Sequence, residues 1–154
     1  MDISEITTNE VLIIPIVAWF ITQLVKMIIE LLKGNGLDFR YLVSSGGMPS
    51  SHSAIVSALA TAVGMIHGFD STVFGITVVL ALIVMYDAAG VRQSVSKQSI
   101  VLNDIVRELR DKHPHLDRLK ADLRELIGHT PFQVIIGSAI GVTVAWLWIS
   151  ITGT

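Results

Sequence analysis

His52 and His129, with Lys33, Arg40 and Arg92, are the side chains in this sequence whose types suit work on an anion. The densest chemistry is the run Ser44-Ser45-Gly46-Gly47-Met48-Pro49-Ser50-Ser51-His52-Ser53, which an apolar helical stretch follows directly. Gly46 and Gly47 free the backbone for turns that other residues resist. Pro49 sets φ at an expected helix start. A helix N-terminus offers unpaired backbone N–H groups and the positive end of the macrodipole, so it is a natural phosphate site. An ordinary loop closed by a serine N-cap accounts for the same residues without any ligand.

The elements that must position these groups are apolar helices. The chain has 154 residues, a length that suits one domain over 1–154. Its mean hydropathy is +0.64. Hydrophobic residues make up 51% and charged residues only 16%, against about a quarter in ordinary soluble domains. That balance points to a membrane, with a soluble, fully buried bundle as the alternative. A net charge of −2 argues against nucleic acid as a partner. Without cysteine there are no disulfides or thiolate metal sites. The start, Met1-Asp2-Ile3-Ser4-Glu5, is acidic and lacks the basic region of a signal peptide.

Val11 to Leu32 is long enough to span a hydrocarbon core, which takes about 20 helical residues. Lys26 and Glu30, at i,i+4 near its far end, read as a snorkelling pair. Lys33-Gly34-Asn35-Gly36 reads as a helix stop. His52 to Ile66 is a second apolar run, rich in small residues that let helices approach closely. His67 belongs to the turn before a third run, Thr72 to Ala89, closed by Gly90. Gln93 to Gly128 is charged, with apolar residues at helical spacing, and predicts two amphipathic helices meeting near His113-Pro114-His115. The His113/His115 pair is a weak metal signal and reads better as a solvated turn. Pro131 to Ile151 is the last apolar run, with Trp146 and Trp148 placed for an interfacial belt. The expected fold is therefore an all-α integral membrane helical bundle, with four transmembrane helices and a cytoplasmic amphipathic helical pair at about 93–128.

Basic residues set the expected orientation. Lys33 and Arg40 lie in the first link, and Lys97, Arg107, Arg110, Lys112, Arg118, Lys120 and Arg124 in the long one, while the His67–Ser71 turn has neither Lys nor Arg. Positive-inside puts both links in the cytoplasm and both termini outside. Lys33, Arg40, His52, Arg92 and His129 then share one membrane face with two helix N-termini. Like charges so gathered repel unless an anion sits among them. Phosphate at headgroup level is the natural candidate.

The whole pattern resembles the type 2 phosphatidic acid phosphatase superfamily, which includes vanadium haloperoxidases and carries K-x6-R-P, P-S-G-H and S-R-x5-H-x3-D. Lys33 and Arg40 have the first spacing, with Tyr41 in place of proline. Pro49-Ser50-Ser51-His52 matches the second with Ser for Gly. Ser-Gly-Gly-Met-Pro-Ser-Ser-His, Tyr-Asp-Ala-Ala-Gly-Val-Arg and Gly-His-Thr-Pro together resemble its divergent branch of small bacterial and plant membrane proteins. The resemblance implies His129 as nucleophile, forming a phosphohistidine, and His52 as general acid. It implies that Lys33, Arg40 and Arg92, helped by Ser50 and Ser51, hold the phosphoryl oxygens. It calls for no cofactor, and any metal requirement stays open.

Two departures stand out. A long amphipathic segment separates Arg92 from His129. Gln133 also occupies the position of the acid that orients the nucleophilic histidine. An amide accepts the imidazole N–H but supplies no charge. Thr130-Pro131-Phe132-Gln133 reads equally as a capping box with proline at the first helical position. Asp87, an acid at the end of a membrane run, is either a catalytic, supporting or metal-binding carboxylate, or else makes a salt bridge with Arg92 or a capping contact. The implied function is a membrane phosphatase acting on a lipid phosphate or pyrophosphate, with membrane lipids around it and homo-oligomerisation open. A catalytically silent lipid-phosphate binder is the alternative, and a hydrolase of soluble phosphoesters a third.

Overall fold

The computed structural model describes residues 3–34, 47–112 and 129–153, and these are helices joined by short turns. A short helix α1 (Ile3–Thr7) leads into α2 (Glu10–Leu32). The second apolar run becomes α3 (Ser51–His67) and the third α4 (Thr72–Tyr86). A π-helical turn, Asp87–Val91, joins α4 to α5 (Arg92–Lys112). The chain closes with α6 (Pro131–Thr152).

Local sequence accounts for most of the boundaries. Ser50 is the N-cap of α3, its hydroxyl accepting from Ser53 N–H, and Ser71 caps α4 in the same way toward Phe74 N–H. Pro49 precedes the cap instead of opening the helix, and the Met48–Pro49 peptide bond is cis. The turn between α3 and α4 is pinned by Gly68, at φ 92°, and by Phe69 packed edge-on against Phe74 with ring centroids 5.2 Å apart.

The expected break at Gly90 is absent. Gly90 keeps a negative φ, so the chain widens into a π turn and runs on as α5. Glycine ends a helix when the backbone turns left-handed there; otherwise it only weakens the helix. Helix α5 covers the first half of the expected amphipathic pair. Its second half, and the junction at His113–His115, lie outside the described residues.

Helix α3 is the hub, packed against α2, α4 and α6. Small residues make this possible. A Cβ added at Gly137 would sit 2.2 Å from the Ser50 carbonyl oxygen, and one at Gly141 2.2 Å from that of Ala54. Two glycines four residues apart thus let α6 lie directly on the backbone of α3. Ile14, Ala18, Ala58, Ala62, Ala145 and Ile149 fill the centre of the bundle. The outer surface stays apolar, with Ile16, Phe20, Val79, Ile83, Ile135 and Trp146 exposed.

An outside as greasy as the inside belongs in hydrocarbon. Among the described residues, three helices are long and apolar enough to cross a membrane: Glu10–Leu32, Thr72–Val91 and Pro131–Thr152. Helix α3 is apolar but has 17 residues, about 26 Å of rise at 1.5 Å per residue.

Candidate functional site

The candidate site lies where the N-termini of α3 and α6 meet. Thr130 caps α6, and the expected capping box is present in full. Gln133 N–H donates to Thr130 Oγ1 at 3.4 Å, and Thr130 N–H donates to Gln133 Oε1 at 3.1 Å. The Gln133 carbonyl accepts from Ser50 N–H at 3.1 Å, which ties the start of α6 to the cap of α3. Gln133 therefore holds both helix starts in register.

This lock brings the two histidines together. Their ring centroids lie 6.4 Å apart with the planes tilted by 58°, close enough for one tetrahedral anion to touch both. His129 is 1% exposed, and its Nδ1 lies 3.2 Å from Gln133 Oε1. The same oxygen already accepts from a backbone N–H, which fixes it as the amide oxygen. Nδ1 facing it therefore carries the proton, and the ring's lone pair belongs to Nε2. Sequence spacing put Gln133 near His129, and the capping box explains why its amide points the right way.

The serines divide their work. Ser50 is fully buried, and its hydroxyl accepts from both Ser53 N–H and Ser53 Oγ–H, so capping occupies it. Ser51 is buried in the first turn of α3, beside His52. Asp87 opens the π turn, a segment that contacts α6. Arg92 opens α5, and its side chain, like Arg40, lies outside the described residues.

The snorkelling expected of Lys26 does not occur. Lys26 is 1% exposed, while Glu30 pairs with Lys33 at 2.6 Å and Lys33 is 55% exposed at the end of α2. The Lys26 stem runs along the loop before α3, where a Cβ at Gly47 would lie 3.6 Å from its Cδ. Gly47, at φ +90°, provides the close approach. One turn deeper on α2, Gln23 is 4% exposed, and its amide oxygen has no hydrogen-bond partner among the described residues. The sequence pattern makes Lys26 half of a surface pair and does not single out Gln23 as a site residue. The available signal was their i,i+3 spacing inside an apolar run, which puts two polar groups on one helix face.

A family model described as "Divergent PAP2 family" matches residues 7–144. An uncharacterised membrane protein of Bacillus subtilis, YuiD, is 37% identical over 146 residues, which cover 90% of this chain and 92% of the relative. No solved structure matches the chain.

Proposed function

The chain belongs to the divergent PAP2 family, and from that membership we propose that it is a membrane phosphatase hydrolysing a lipid phosphate or pyrophosphate. The observation that carries this reading is the His52–His129 pair, with rings 6.4 Å apart at two helix N-termini. In the proposed reaction His129 Nε2 attacks phosphorus and the bond to the leaving oxygen breaks. Protonated His52 gives that oxygen its proton. Water then attacks the phosphohistidine, losing a proton to His52, and inorganic phosphate leaves with His129 restored. Lys33, Arg40 and Arg92 take the phosphoryl oxygens from the rim. We add Lys26, which is buried with its stem along the Gly47 loop that leads into the cap of α3, as a further group for the phosphoryl oxygens. Ser51 and the first-turn N–H groups of α3 complete the cradle. Little covalent work falls to the protein beyond the nucleophile, since phosphoryl transfer rests mainly on positioning and charge stabilisation.

In this proposal all four apolar helices span the bilayer. The basic links and the site face the cytoplasm, and both termini lie outside. A second reading, a silent lipid-phosphate binder, is favoured by one feature: the neutral Gln133 amide where a carboxylate would stabilise an imidazolium. Phosphate release from lipid phosphates by purified protein, compared with His129→Ala, separates the two. The phosphatase reading predicts release that His129→Ala abolishes and that His52→Asn lowers about 10²–10⁴-fold. Equal release by wild type and His129→Ala contradicts it.

A further inference from the structure

Helices α4 and α6 both pack on α3 and hardly touch each other below the π turn. Between them runs a groove of about 490 Å³, with Met85 of α4 on one side and Val134, Ser138, Ala139, Val142 and Thr143 of α6 on the other. Its two hydroxyls are engaged within the protein. Ser138 shares a 2.7 Å hydrogen bond with Ser57, and Thr143 donates to the Ala139 carbonyl at 2.8 Å. The wall therefore offers mainly methyl and methylene groups, with the pliable Met85 thioether opposite.

Position and length identify the occupant. The groove starts at Val134, the residue after the glutamine that orients His129. It ends at Thr143, about 14 Å farther along the helix at 1.5 Å per residue. That is about half of a 30 Å hydrocarbon core, or one leaflet. We propose that the groove seats one hydrocarbon chain of a phosphorylated lipid whose phosphate lies between His52 and His129. The proposal rests on that pair being a phosphate site, and it assigns the choice of a lipid to residues of α6. Ile135 and Val142 of its wall are exposed on the outer surface, so a lipid enters from its own leaflet without leaving the bilayer. A water-soluble phosphoester gains nothing from it.

The test uses full-length protein in vesicles of uncharged lipid with a single-chain lipid phosphate carrying a mid-chain diazirine. Labelling concentrated on Ala139–Thr143, and displaced by the unlabelled lipid phosphate, is the expected result. Labelling equal to that of the outer residues Leu82 and Ile83 means bulk lipid only and overturns the proposal. So does a disulfide between two copies of Ala139→Cys with no labelling, which means a second chain fills the groove. Labelling is read before any turnover, so a failure of catalysis does not masquerade as a failure of the groove. Where phosphate release is measurable, Ala139→Trp should raise KM for a long-chain substrate at least tenfold and leave a short-chain soluble phosphoester within twofold. Ala139→Leu, a smaller intrusion, should act in the same direction should the Trp variant not fold. Equal loss on both substrates contradicts a chain subsite.

Discussion

At Gln133 a single amide oxygen faces two donors, the Thr130 backbone N–H and His129 Nδ1. Glutamate fits the same place, because a carboxylate serves a capping box equally well and favours a helix N-terminus. Gln133→Glu should therefore keep the cap and stabilise a cationic His129. Phosphate release is expected to rise about tenfold, the effect of some 1.4 kcal/mol. An unchanged or lower rate would mean that the amide is already the better partner. Lys26 gives the second residue-scale prediction. Removing one member of a buried polar or ionic contact is costly, because the other is left unpaired. Lys26→Met should therefore lower the thermal midpoint and, in protein that remains folded, weaken vanadate binding at least tenfold, and Lys33→Met should weaken it less. Vanadate mimics the phosphoryl transition state, so its affinity reports the cradle directly. Equal affinity in wild type and Lys26→Met would remove Lys26 from the site. The importance of Lys26 was hidden in the sequence because a Glu four residues later is what a surface pair looks like. Only the packing of α2 on the Gly47 loop gives it away.

Among the elements, the α3–α6 contact does the positioning. Gly137 touches the backbone at Ser50, and the Ser50 N–H is the one that reaches Gln133. Gly137→Leu should push the helices apart and separate the histidines. The expected result is loss of phosphate release with a lowered thermal midpoint, since overpacking a tight contact typically costs about 1–3 kcal/mol. Gly75→Ala, where an added Cβ meets nothing, is the matching control. Loss of activity in both variants would show that the effect is not specific to this contact. The apolar runs and the capping box were legible because each is a local pattern. The glycine contact was not, because its partner is the backbone of another helix. The uninterrupted passage through Gly90 was equally hidden: glycine permits a left-handed stop without requiring one.

For the whole molecule, an all-helical membrane protein could be read from composition and run length, and family membership from three short strings. The sequence alone offers no means of seeing α3 as the hub or the groove between α4 and α6, since both come from how helices lean on one another. Orientation is testable at this scale. Cysteines at Ser71 and Lys112 should label from opposite sides of intact cells, and labelling from the same side would contradict a shared catalytic face. The most direct test of the account is to quench the protein during turnover of a radiolabelled lipid phosphate and map the phosphate by mass spectrometry under alkaline conditions, where phosphohistidine survives. Attack by His129 predicts acid-labile phosphate on that residue, absent in His129→Ala. Turnover with phosphate on another residue, or undiminished turnover by His129→Ala, would contradict it.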